Sequence, residues 1–353
     1  TTTVRTARRV FSPLDEQLQL KDPHYSEGVL RELVWLSGQV ASYAAVETVL
    51  QRVGRLSVSD SSIWRRVKTW GTAIKVEEEK HRKRANSLPK RQYLRRHTLG
   101  VAQRMGVGMD GAQVRIRNEG RKELKIGCTF DLEERPTRRE ETGECEPMAH
   151  AIGNQYVAHL GGPERLGQLL WAAAKVRGWE KADDKEVLGD GIAWIWTQAQ
   201  THFYDGQQVV DWYHGVQHLA SVAELLHGPE TRAAKRWYHA AQTSLYQGHA
   251  ARIAKHLRKK AAKCPELADD LQREAGYLEN HKRRMQYQEY REDGYVIGSG
   301  MVESGCKQFK ARFCGPGMRW SREGIERLLP IRAAVMSKSF DDVWKAAYNS
   351  PPD

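Results

Sequence analysis

Apolar positions in the first part of the chain recur with a helical period, three or four residues apart. The spacing predicts a helix over Ser26–Ser37 with Leu30, Leu33 and Val34 inward. A second opens at Ser42 as N-cap, places Val46, Val49, Leu50 and Val53 on one face, and stops at Gly54. A third opens at Ser59, repeats Ile63, Val67 and Trp70, and stops at Gly71, with Arg65, Arg66 and Lys68 on its other face. Three short helices with a basic last one fit a helix-turn-helix arrangement or a plain helical mini-domain. After residue 100 the period changes from helix to strand. Val101–Asp110, Ala112–Arg117 and Leu124–Phe130 read as strands, the first two separated by Gly111. Thr137–Glu146 is polar and reads as an exposed loop, and residues ~153–177 read as helix, with Leu166, Leu169, Leu170 and Ala173 on one side. Short strands follow at Glu186–Leu188 and Val209–Trp212, with a helix from about Gly215. Residues ~230–290 are charged and helical, like an insertion, and a further helix starts after Gly298-Ser299-Gly300. Strands followed by alternating strands and helices predict an α/β domain with a mixed sheet.

Length and charge sharpen this outline. A chain of 353 residues is long for one ordinary domain. The pattern divides it into an N-terminal helical part (1–74), a basic linker (75–100), a first part of the sheet domain (101–222), a helical insertion (223–296) and a C-terminal part (297–353). The net charge is +12. Residues 1–98 hold 19 Lys and Arg against 10 Asp and Glu, a surplus of 9, so the basic character concentrates there. A polyanion, nucleic acid first, is the expected partner. The charge run over Lys75–Arg96 fits either a solvated helix and linker or an arm tracking a DNA backbone. The five cysteines form no CxxC pair, which fits a reducing cytoplasm and argues against a zinc ribbon. No apolar run approaches the ~20 residues that cross a bilayer, and no signal peptide is expected.

Two carboxylates stand beside glycines at predicted strand ends: Asp110 before Gly111, and Asp190 between Gly189 and Gly191. Such positions suit a metal site, because glycine permits close approach and Mg²⁺ takes hard oxygen ligands. They also suit ordinary Asp-Gly turns. Glu303 falls in the first turn of the helix after Gly300 and shares a face with Lys307 and Lys310. Spacing alone makes that a surface ion pair as readily as a metal ligand beside two phosphate contacts. Val302, Cys306, Phe309 and Phe313 lie on another face, which should pack inward.

The strings GMDGAQVRIR (108–117), VLGDGIAWIW (187–196), VVDWYHGVQHL (209–219), GSGMVESGCK (298–307) and GMRWSREGIE (317–326) change the balance. In this order they resemble the DDE transposases of bacterial insertion sequences, specifically the ISKra family, over about residues 12 to 345. The resemblance implies an RNase H-like catalytic core with an all-helical insertion and an N-terminal helix-turn-helix-like domain. It implies Asp110, Asp190 and Glu303 as the catalytic, metal-holding carboxylates, with two Mg²⁺ or Mn²⁺ ions. Asp211-Trp212-Tyr213-His214 is similar to a D-x-x-H motif of related transposases, which brings His214 into the candidate catalytic set. The implied partners are double-stranded DNA, both the terminal inverted repeats and the target, and a second copy of the chain to pair two ends. No cysteine precedes Cys128, so a zinc-binding recognition module is not expected.

Other residues take roles from chemistry alone. His214 and His218 are four apart but lack the Glu of a metalloprotease motif. His214 fits orienting a phosphate or water, or a buried structural role, and His218 reads as structural. Arg319, Trp320 and Arg322 combine cations with a ring that would stack on an unpaired base, unless Trp320 packs in the core. With Arg65, Arg66, Lys68, Lys307 and Lys310 they form the candidate DNA-binding set. Trp194 and Trp196 read as core. Two rivals remain: a metal-dependent nuclease or resolvase on the same fold, and a domesticated, non-catalytic DNA-binding protein.

Overall fold

A computed structural model of the chain describes residues 20–87, 104–138 and 145–350. The basic stretch Lys90–Arg96 and the tip of the polar loop lie outside these residues. Three helices come first: α1 (Glu27–Gln39), α2 (Tyr43–Arg52) and α3 (Asp60–Ser87). The Ser42 hydroxyl accepts the Ala45 N–H and caps α2, as its position predicts. Gly71 does not end the third helix, which runs 28 residues. The glycine serves close packing instead: a Cβ there would meet the Arg327 carbonyl oxygen at 2.7 Å. Ile63, Val67, Trp70, Gly71 and Ile74 form the buried stripe of α3.

The sheet contains β1 (Arg104–Ile116), β2 (Gly120–Arg138), β3 (Cys145–Leu160), β4 (Asp184–Gly189) and β5 (Gln207–Val210), in the order β3-β2-β1-β4-β5. The first three strands pair antiparallel, while β4 joins β1 and β5 joins β4 in parallel. Gly111 does not break β1. It stays in the ladder opposite Lys125, where a Cβ would meet the carboxylate end of Glu123 at 2.5 Å. The expected loop at 137–146 shrinks, since Thr137 pairs with Glu146 and Arg138 with Cys145. The helix expected from ~153 begins only at Pro163, as α4 (Pro163–Arg177). Tyr156, Ala158 and Leu160 are buried at period two, the strand period, and extend β3.

Helices cover both faces. One face carries α4 and α5 (Ala193–His202), with Met105, Val107 and Met109 of β1 packed against Leu166, Leu170 and Ile195. The same apolar cluster continues into α6 (Trp212–His227), α7 (Arg232–Tyr246), α8 (Ala250–Ala261), α9 (Ala268–His281) and α10 (Tyr287–Glu292), a strand-free stretch as expected. The other face carries α11 (Gly300–Phe313), α12 (Arg322–Met336) and α13 (Phe340–Asn349). Here a second cluster joins β1–β3 to these helices and to α1–α3. Arg312, 2% exposed, crosses this junction and donates to the Ser37 and Ala41 carbonyls at 3.0 Å each. Burying a guanidinium requires such partners. The result is an α/β fold with a five-stranded mixed sheet flanked by helices. Among the described residues no helix is long and apolar enough to cross a membrane.

Candidate active site

Strand periodicity fixes the first carboxylate. Met105, Val107 and Met109 point to one face of β1, so Gly106, Gly108 and Asp110 point to the other. The parallel pairing of β1 with β4 ends at Met109 opposite Gly189. Asp110 and Asp190 are therefore the next residues on two neighbouring strands, at the carboxyl ends of their shared ladder. In open α/β sheets this is where ligands bind. Asp110 Oδ1 accepts the Gly111 N–H at 2.5 Å, and Asp190 Oδ1 accepts the Ile192 N–H at 2.9 Å. Burial pushes the Asp190 carboxyl above its ordinary range, and the Asp110 charge adds to the shift against opposition from the Ile192 N–H and His214.

Asp211 sits just beyond β5 and is 1% exposed. It caps α6 by accepting the His214 N–H at 2.8 Å and also bonds His214 Nδ1 at 3.0 Å. Its second oxygen accepts the Ser299 N–H. One carboxylate thus ties β5, α6 and the Gly298–Gly300 loop together. Its hydrogen bond to Asp211 raises the His214 pKa, aided by the charges of Asp190 and Asp110. His214 therefore presents a half-exposed imidazole, with its affinity for a proton increased, beside the carboxylate pair. The D-x-x-H spacing pointed to this pair, but the link to Ser299 had no sequence signal.

The helix of Glu303 docks on β1. Val302 fills the space above Gly108, where a Cβ would meet it at 2.1 Å, and the Cys306 thiol lies in hydrogen-bonding reach of Asp110. Val302, Cys306, Phe309 and Phe313 are all buried, as their spacing predicts. Glu303 itself is half exposed and pairs with Lys307 at 2.8 Å. The structure thus joins Asp110 to Asp190 and brings up the helix of Glu303, while the Glu303 side chain turns to its own helix. Among the described residues no three His, Cys, Asp or Glu side chains gather closely enough to hold a metal ion.

From the helical stretch, the Tyr277 hydroxyl donates to the Asp190 carbonyl at 3.1 Å, and its ring packs on Gly191, whose φ of 102° favours glycine. Tyr277 stacks on His218 at 3.7 Å, and His218 Nδ1 bonds Glu274 at 2.6 Å, the structural role expected of that histidine. Nothing in the local sequence marks Tyr277.

The basic candidates divide. Arg65, Lys68, Lys310 and Arg319 are exposed. Lys307 is exposed but paired, and Arg322 bonds Glu119. Two assignments are corrected. Arg66 is no open DNA contact: it pairs with Asp22 at 2.9 Å, lies over the Tyr25 ring, and its side chain is 12% exposed. Trp320 is not a free stacking platform. It packs edge-on against Phe313, donates its indole N–H to the Phe313 carbonyl at 2.9 Å, and bridges to Ile116. Trp196 is buried and Trp194 half-buried, as expected of core rings.

Below the site on β4, Glu186 is fully buried, and one of its oxygens has no hydrogen-bond partner among the described residues. Burial pushes its pKa up to about 8, against the Val296 N–H and the Arg104 charge. A raised carboxyl pKa means the folded state holds its proton longer, so stability falls as pH rises from the ordinary Glu range through about 8. Glu186→Gln keeps the neutral shape. It is expected to leave stability nearly unchanged near pH 5 and to raise it by about 4–5 kcal/mol near pH 9. Urea unfolding at the two pH values measures this, and equal effects at both would refute the buried neutral acid.

Comparison with models of known protein families finds none that matches the chain. Comparison with curated proteins finds no match either. Fold and site alone define the class: an α/β protein with paired carboxylates at the carboxyl ends of adjacent parallel strands.

Proposed function

We propose that the protein is a metal-dependent DNA transposase of the DDE type, built on an RNase H-like core, that acts on the ends of an insertion sequence in the bacterial cytoplasm. The observation carrying this reading is the meeting of Asp110 and Asp190 at the shared ladder end of β1 and β4. A sheet of order β3-β2-β1-β4-β5, antiparallel in its first three strands, supports the RNase H-like assignment. The donor set fits Mg²⁺ or Mn²⁺: two hard carboxylates, one destabilised by burial and by the other's charge, gain most from a nearby cation. Two bound ions would supply the charge that activates an attacking oxygen and stabilises a leaving one. Asp110 and Asp190 would hold them, and Glu303 would join by leaving Lys307. His214, its pKa raised by Asp211, is placed to orient a phosphate oxygen. Arg65, Lys68, Lys310 and Arg319 offer exposed cations to the DNA backbone. Pairing two ends calls for a dimer.

The Glu303–Lys307 ion pair favours one rival, a DNA-binding protein that does not cut. The deciding experiment incubates the protein with Mg²⁺ or Mn²⁺, a duplex bearing the flanking terminal repeats, and a target plasmid. Cleavage at the ends followed by joining is the expected result. Cleavage without joining would make it a nuclease, and binding without cleavage would favour the rival.

A further inference from the structure

We infer that the outer face of α8, in the helical segment between Asp190 and Glu303, is a second contact for the phosphate backbone of duplex DNA. The inference rests on the reading of the protein as DNA-binding, but on residues that reading does not use. Ala250, Ile253, Ala254, Leu257 and Ala261 are buried and fix the inward face of α8. With 3.6 residues per turn, the direction opposite that face holds Arg252, Lys255 and Lys259. All three are exposed, with Lys260 and Lys263 nearby. No Asp or Glu occurs between His249 and Lys263. Arg258 leans to Glu279 at 3.7 Å on the flank, whereas among the described residues no carboxylate lies within 4.0 Å of Arg252, Lys255 or Lys259.

Solvated helix faces ordinarily mix signs, with pairs at i, i+4 spacing. This face carries one sign only, and its rotation is locked by the core. Arg252 to Lys259 spans about 10 Å of helix, along which duplex DNA presents about six phosphate charges. An anionic membrane is the weaker partner. An interfacial helix inserts an apolar face into lipid, and that face of α8 is already buried against its neighbours.

Salt dependence of duplex binding tests the assignment. The full chain and R252Q/K255Q/K259Q would be compared by fluorescence anisotropy on a labelled duplex across a KCl series. A control, K181Q/K338Q/K345Q, removes the same charge from exposed positions elsewhere. The expected result is a log–log salt slope shallower by roughly 2–3 in the α8 variant, unchanged in the control and restored in R252K/K255R/K259R. If wild type binds duplex and the α8 variant keeps its slope, the α8 assignment fails while the DNA reading survives. A wild type that binds no duplex overturns both. Binding to phosphatidylserine vesicles that needs the α8 cations, with duplex binding indifferent to them, would overturn the assignment in favour of a membrane.

Discussion

Asp190→Asn is expected to lower DNA cleavage and joining by roughly 10²–10³-fold or more, yet to unfold at the same temperature as wild type or above it. The two halves of this expectation have one cause. Asp190 is half-buried beside Asp110, and its pKa lies above the ordinary value because burial and the neighbouring charge both oppose ionisation. A raised acid pKa means the folded state binds the proton more tightly than the unfolded chain. Stability therefore declines as pH rises from about 3.8 through the folded pKa. Asparagine keeps the shape and still accepts from the Ile192 N–H, but removes the charge. The stability gain over wild type should thus grow from pH 4 to pH 7. Such a trade of stability for reactivity marks functional sites. Cleavage assays in Mg²⁺ and thermal unfolding at both pH values give the readouts. Full activity in the variant would remove Asp190 from the chemistry. A large drop in melting temperature with lost activity would make it a structural turn residue instead.

Much of this arrangement was legible in the sequence because it is local. Ser42 caps a helix where its hydroxyl and spacing said it would. The inward face of α11 followed from Val302, Cys306, Phe309 and Phe313 alone. The errors lie where a long-range partner decides. Gly71 reads as a stop until Arg327 is seen lying against it, and Gly111 reads as a break until β2 is paired beside it. Residues 153–160 carry apolar positions that suit either period over a short window, and β2 chose the strand. Arg66 and Trp320 look like free contacts only while Asp22 and Phe313 are out of view. At the site, the glycines beside Asp190 marked a true strand end, whereas β1 continues past Asp110 to Ile116 and only its ladder with β4 ends there. That the two ends are adjacent depends on a pairing 80 residues apart, as in Asp110 and Asp190 themselves. The orientation of Glu303 toward Lys307 is the surface-pair alternative that spacing always allowed.

Asp211→Ala is expected to cost about 3–5 kcal/mol of folding stability, and to depress activity further at temperatures where the variant remains folded. The side chain is almost fully buried and serves three donors: the His214 N–H, His214 Nδ1 and the Ser299 N–H. Burial alone would raise its pKa, but the hydrogen bonds from His214 and Ser299 outweigh this and hold it below the ordinary range. A depressed acid pKa contributes stability that is present above about 3.8 and is lost as pH falls through the folded pKa. The variant should therefore differ from wild type at neutral pH and converge with it in strong acid. Removing the carboxylate also frees the loop that opens α11, because Ser299 loses its tether while Trp212 N–H to the Ile297 carbonyl, at 2.8 Å, remains. Glu303 lies four residues beyond Ser299, so its position relative to Asp110 and Asp190 depends on that loop. Asp211→Asn separates the effects. It keeps an acceptor for one backbone N–H but loses the charge that raises the His214 pKa, so it should recover part of the stability and little of the activity. Recovery of both together would mean that Asp211 acts only as a helix cap, with no part in setting the charge beside the carboxylates.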